Sequence, residues 1–338
     1  MGIFNFFKKK NTFDDYDDFD DYVIFKRLMP SYEYDYDNFD KNYPRHYPMT
    51  SYSVLEDGVV FTRDVNDYLS RKEIKRVIFT DAPVPDSYSI NAVDVSLAQD
   101  GSILAWNQTL FRPDRSEEFC LIISTCERGK GIKFNRACNY MFAYFEKLER
   151  IDWNNVIDTS EVISMRKTFM SCYHLEKIDL SSWDVRNVKY LSCFFSTCKH
   201  LKEVKWFRLD IPKLEDTSWM FTNCRSIVSI DFSDLTAPLL TSCEGMFYAC
   251  HSLKAVNLAN LKTPNCLKIE EMFDEDILLS VLSTDNEQIK QEFFNPKDED
   301  AQILDKYKIQ RRVVPDSEWE IPIYEWDKPK INRKETIF

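Results

Sequence analysis

The side chains here with nucleophilic, redox or metal-binding chemistry are ten cysteines and four histidines. Cys172, Cys198, Cys224 and Cys250 follow one another at intervals of 26 residues. A reactive cysteine needs a base or a second thiol close by, and a zinc site needs ligands clustered at short spacing. There is no Cys-x-x-Cys, and the histidines beside these cysteines sit at repeat positions. His174 and His200 fall at one equivalent position, which is Ser226 and Ser252 further along. A position that drifts between His and Ser is not that of a ligand or a general base. Cys120 and Cys126, on a strand-like run, share a face but stand too far apart for an unstrained bridge. The regularly spaced cysteines therefore read as a column of small buried side chains. Carboxylate pairs exist, but each belongs to a repeated surface position, and no Ser-His-Asp or Cys-His set lies outside such positions. The expectation is a non-catalytic protein with no cofactor and no metal.

What positions these residues is a repeat. "YMFAYFEKLERIDW", "KTFMSCYHLEKIDL", "CFFSTCKHLKEVKW", "WMFTNCRSIVSIDF" and "GMFYACHSLKAVNL" are successive copies, and "EMFDEDILLSVLST" is a decayed sixth. Their central phenylalanines are Phe142, Phe169, Phe195, Phe221, Phe247 and Phe273. A period of this length marks stacked supersecondary units. Within a copy, Leu175, Ile178 and Leu180 have the L-x-x-L-x-L spacing of a leucine-rich-repeat strand. Val188, Leu191 and Phe195 lie at helical spacing, which predicts one or two helical turns on the outer face. The fold class expected is α/β: a leucine-rich-repeat solenoid with a β-rich N-terminal cap and a small helical C-terminal cap.

The division follows: 1–58 an acidic-aromatic, mostly flexible segment, 59–138 a β-rich capping region, 139–284 the repeats, and 285–338 a C-terminal cap and tail. Residues 14–40 carry ten Asp or Glu against Lys26 and Arg27, with aromatics at Phe13, Tyr16, Phe19 and Tyr22. Such a block reads as a solvated tail or a docking segment. Residues 59–66 look ordered. Residues 74–80, 120–126 and 132–135 read as strands, and Asp100-Gly101 signals a hairpin. Short helices are expected at 286–294 and 300–309. Glu335–Phe338 has the form of a C-terminal peptide ligand, a match short enough to arise by chance. The net charge of −12 argues against nucleic acid, and six glycines leave no Gly-rich phosphate loop. No run is long enough to span a bilayer, and the start "MGIFNFFKKK" lacks the order of a secretory signal. That start and the free thiols point to the cytoplasm.

The boxes "MFYAC.SL..V.L" and "MFTNC.SI..IDFS", the connector "IDLSSWDVRNVKYL" and the preceding "DVSLAQDGSILAW" resemble the BspA-like leucine-rich repeat family of bacterial surface proteins. The likeness covers roughly 74–284. It implies a repeat module used for protein binding, often in adhesion at the cell surface. The binding face would be the outward strand positions. One column is Asp152, Asp179, Lys205, Asp231 and Asn257; its neighbour is Arg150, Lys177, Glu203, Ser229 and Ala255. The first is mostly acidic, so a basic or polar protein surface is the expected complement. The alternative is an intracellular scaffold, inhibitor or immunity-type protein binding a basic partner. The sequence names neither the partner nor the oligomeric state.

Overall fold

The structure, a computed structural model, describes residues 51–54, 71–261, 266–276 and 278–322. The acidic-aromatic stretch 11–40, the segment 59–66 and the terminal 335–338 lie outside them. Ahead of the repeats come β1 (Ser51–Val54), β2 (Arg76–Thr80), β3 (Val93–Asp94), β4 (Leu104–Phe111), β5 (Glu117–Ser124) and β6 (Lys130–Lys133). The repeats supply β7 (Arg150–Asp152), β8 (Ile157–Asp158), β9 (Lys177–Asp179), β10 (Glu203–Lys205), β11 (Ser229–Asp231), β12 (Ala255–Asn257) and β13 (Val281–Ser283). Two helices follow, α1 (Glu287–Phe294) and α2 (Asp298–Lys306), and then β14 (Arg312–Val313).

These strands form four small sheets. One is mixed, in the order β3-β4-β5-β2-β7, with β2 parallel to both β5 and β7. The others are parallel: β1-β6-β8, β10-β9 and β11-β12-β13-β14. β1 falls in the stretch 1–58, expected to be mostly flexible. The strand expected from 120 begins at Glu117, and the Asp100-Gly101 signal sits in the wider loop that joins β3 to β4, with Gly101 at φ +73°.

The expected α/β leucine-rich-repeat solenoid with a helical cap is not the observed fold. The described residues give a β-rich arrangement of small mixed and parallel sheets, with two short α-helices, both beyond the repeats. The helical turn expected around Val188, Leu191 and Phe195 is absent for a backbone reason. Each box holds two residues with left-handed φ, two positions before and two after its phenylalanine. They are Tyr140 and Tyr144, Lys167 and Ser171, Cys193 and Thr197, Trp219 and Asn223, Gly245 and Ala249, and Glu271 and Glu275. A right-handed helix cannot run through such residues. The box is instead a chain of tight turns. Phe145 N–H donates to the Phe142 carbonyl, for example, and Cys198 N–H to that of Phe195. Alternate N–H groups point along the repeat axis: Phe142 donates to Thr168 O, Phe169 to Phe194 O, Phe195 to Met220 O, Phe221 to Met246 O and Phe247 to Met272 O, at 2.8–3.1 Å. Nor do the repeat strands, two or three residues long, merge into one sheet. The Asp at the end of β9 and of β11 turns the chain by capturing the N–H two residues on, Ser181 at 2.9 Å and Ser233 at 3.0 Å.

The period is nevertheless preserved in the packing. Phe142, Phe169, Phe195, Phe221, Phe247 and Phe273 are buried and form a stacked column with ring centroids 5.3–5.9 Å apart. Beside it the thiols of Cys172, Cys198, Cys224 and Cys250 each donate to the carbonyl of the box phenylalanine one repeat earlier, Phe142, Phe169, Phe195 and Phe221, at 3.0–3.2 Å. Burial pushes the Cys172, Cys224 and Cys250 thiols well above their ordinary pKa. The cysteine is thus small enough for the column and supplies a hydrogen-bond donor to it. One continuous core runs from Ile74 to Phe293.

Candidate binding face

Side chains alternate across a strand, so the residue at the centre of each three-residue strand points into the core and its neighbours point out. Ile178 and Ile230 are buried while Lys177, Asp179, Glu203, Lys205 and Asp231 are exposed. Pairing carries the two outward columns across sheets. Arg76 faces Arg150, Lys177 faces Glu203 and Ser229 faces Ala255; Ile78 faces Asp152, Asp179 faces Lys205 and Asp231 faces Asn257.

The charges on this face are already paired. Lys177 Nζ lies 2.5 Å from Glu203, Lys205 Nζ 2.8 Å from Asp179, and Lys202 Nζ on the flank 2.9 Å from Glu176. The hydrogen bond that Lys177 donates to Glu203 holds its ammonium above its ordinary pKa, and the one donated by Lys202 lowers the Glu176 carboxyl. Partial burial of Asp179 opposes its ionisation, but hydrogen bonds from Lys205 and Ser181 outweigh this and hold it below the ordinary value. Nearer the N-terminal end, Asp152 accepts from Arg76. The fully buried Glu118 gathers Arg112 at 2.6 Å, Arg150 at 3.4 Å and Arg76 at 3.6 Å. Arg112, bonded to Glu118 and Glu149, is held above its ordinary pKa.

The sheet face is covered at both ends. On one side Tyr88, with Val84 and Ala92, packs over Ile78, Trp106, Leu110, Cys120 and Ile122. On the other, Val314 and Trp319 pack over Ala255 and Val281. Between these covers the outward positions of β7, β9, β10 and β11 are open.

With this geometry in view, residues 136–234 match the family described as "Mycoplasma protein of unknown function, DUF285", over less than a third of the chain. No curated protein and no solved structure matches.

The sequence-derived columns are thus placed unequally. Lys177, Asp179, Glu203, Lys205 and Asp231 are exposed, and Arg150, Asp152 and Ser229 are half-buried. Asn257, expected on the open face, is only 2% exposed. Its Nδ2 donates to Asp316 Oδ1 at 2.7 Å, beneath the segment that carries Trp319. Ala255 is buried with it. The expected acidity of the first column is also offset, because Lys205 sits within it and binds Asp179. Asp179, Asp231 and Asn257 each serve the backbone by accepting an N–H two residues on, which accounts for the recurrence of Asp and Asn there.

Sequence reasoning missed Glu118, Arg76 and Arg112. The available signal was a carboxylate inside an alternating apolar run, "SEEFCLIIS", but a strand that starts at Cys120 leaves Glu118 outside it. The histidines act on the backbone: Nδ1 of His174 lies 2.7 Å from Glu146 O and Nδ1 of His200 lies 2.6 Å from Tyr173 O. Ser226 Oγ makes the same bond to Lys199 O at 2.9 Å, so His and Ser share one task at this position. A separate concavity of about 420 Å³ is lined by Arg136, Glu161, Ile163, Asn187, Lys189 and Lys213. Among the described residues, no helix is long and apolar enough to cross a membrane, and no group of three or more His, Cys, Asp or Glu is arranged to hold a metal ion.

Proposed function

We propose that this chain is a non-catalytic protein-binding module that engages its partner across the open strip formed by Arg150, Asp152, Lys177, Asp179, Glu203, Lys205, Ser229 and Asp231. The observation that carries this reading is the covering of the strand face at both ends, which leaves one bounded, charge-patterned strip exposed. Because cross-strand pairs already neutralise much of the strip, the partner surface is one of mixed charge rather than strongly basic. Pre-paired side chains favour specificity over raw attraction, since a partner must match the pattern of signs. The sequence likeness to BspA-like proteins supports binding in adhesion at a cell surface. The second reading is an intracellular scaffold or inhibitor, favoured by ten free thiols. Protease shaving of intact cells separates the two: loss of the repeats supports the surface role, and protection until lysis contradicts it.

Binding through the strip is tested by exchanging paired charges. Combining Lys177→Glu with Glu203→Lys, and Asp179→Lys with Lys205→Asp, preserves net charge and each intramolecular pair but inverts the pattern. A protein captured by the full chain should be lost or weakened at least tenfold with the exchanged variant. Equal capture by both would overturn the assignment of the strip.

A further inference from the structure

Eight of the ten cysteines, including the four of the column and Cys266, direct their thiols at backbone carbonyls. Cys243 and Cys266 also bring two thiols together: their Sγ atoms meet at 3.2 Å, with both residues fully buried. The arrangement is fixed from both sides. Cys243 N–H donates to Lys268 O at 2.7 Å, which sets Cys243 against the chain two residues past Cys266. Ser242 and Lys268 are bridged in parallel at the same level. A disulfide has an S–S length of about 2.05 Å, so closing the bond needs a movement of about 1 Å. The site is thin-walled, because Leu267, next to Cys266, is 69% exposed and Leu239, just before the buried Leu240, is 49% exposed. Cys243 stands where the preceding repeat has Thr217, whose hydroxyl donates to Ser242 O at 3.2 Å, and Cys266 lies between repeats.

We infer that Cys243 and Cys266 are a covalent modification site, forming an intramolecular disulfide on contact with a low-molecular-weight disulfide, while the Cys172, Cys198, Cys224 and Cys250 column stays reduced. The reaction balances with one equivalent of oxidant. One thiol gives up its proton, and its sulfur attacks one sulfur of the small disulfide, expelling a thiolate. The second cysteine, likewise deprotonated, attacks the resulting mixed disulfide and expels the other half. Two electrons pass to the oxidant, and the two released thiolates take up the two protons. The hydrogen bond shared with Cys266, together with burial, raises the Cys243 thiol well above its ordinary value, so reaction proceeds through local opening and is slow in the folded protein. The bond ties the start of the box at 245–250 to the connector leading into the last box, closing a loop across 23 positions. It therefore adds stability in an oxidising compartment.

The test uses the full chain in buffers of reduced and oxidised glutathione at graded ratios. The protein is either kept folded until equilibrium or refolded from urea in the same buffers, so that access does not limit the outcome. Remaining thiols are then alkylated and counted by intact mass, and linkages are mapped on peptides. The expected result is loss of two of the ten thiols. The linkage should be a single Cys243–Cys266 peptide, unchanged in Cys172→Ser and abolished in Cys266→Ser. The urea midpoint of oxidised protein should rise in the parent and not in Cys243→Ser. Ten alkylated thiols in the most oxidising buffer by both routes, or a linkage involving the column cysteines, would overturn the proposal.

Discussion

Asp276 stands where the earlier boxes have Cys172, Cys198, Cys224 and Cys250, and it is fully buried. Its Oδ1 accepts from the Cys250 N–H at 2.8 Å, while Oδ2 has no hydrogen-bond partner. Burial raises its carboxyl well above the ordinary value of 3.8, against the pull of the Cys250 N–H and Arg311 and with the help of Asp300 and Asp274. The folded protein thus keeps a proton that the unfolded chain releases near pH 3.8. The stability this group contributes is present in full below that pH and is lost as pH rises through the folded-state value. Asp276→Asn keeps the acceptor without the charge. We expect it to be more stable than the parent at pH 7.5, because the amide takes up no proton on folding. The advantage should shrink toward pH 4, as read by urea unfolding at both pH values. A loss of stability at pH 7.5 would mean that Asp276 is ionised and paired with Arg311. At this scale the sequence was partly legible. The cysteine column and the His-to-Ser drift were visible as structural positions. The reason for them, a donor aimed at a carbonyl one repeat back, was not, because it depends on backbone direction. Glu118 was missed because its three guanidinium partners come from β2, β7 and the turn after β4.

At the scale of the element, the boxes kept the expected register and lost the expected conformation. Apolar spacing reports which side chains are buried. It does not distinguish a helical turn from a run of tight turns that buries the same residues. The deciding feature, left-handed φ two residues either side of the phenylalanine, leaves little trace in the sequence because Tyr, Lys, Thr, Trp and Glu all occupy it. Gly245 and Asn223 are its conventional occupants. At Gly245 the missing Cβ has a second role: a Cβ there would meet the Trp219 ring, which lies flat on that position. Gly245→Ala should therefore cost about 2–5 kcal/mol, from left-handed strain of roughly 1–2 kcal/mol together with displacement of the indole at roughly 1–3 kcal/mol. In a Trp219→Ala background the same change should cost only the strain, about 1–2 kcal/mol. Equal costs in the two backgrounds would mean that the ring moves freely and the glycine serves the backbone alone. A double-mutant cycle by chemical denaturation measures the difference.

At the scale of the whole molecule, the arrangement that supports function comes from parts far apart in sequence. The strands between 150 and 231 were legible from the repeat. The burial of Asn257 on the next strand, β12, was not, because the segment that covers it begins at Arg312, in a region with no repeat pattern, and pairs back to β13. The cover at the other end likewise comes from residues 84–92, in a turn-rich stretch. What the described residues leave open is the strip between them, and the most direct test asks whether something occupies it. Carboxyl groups of the full chain would be labelled with a carbodiimide and an amine, once on purified protein and once in lysate of the cells that express it. Labelling would be quantified residue by residue. Asp179, Glu203 and Asp231 should become protected in lysate while Glu127 and Glu287, exposed on other surfaces, label as before. Unchanged labelling at the three strip residues, with protection instead at Glu161 beside the basic concavity, would contradict binding through the strip.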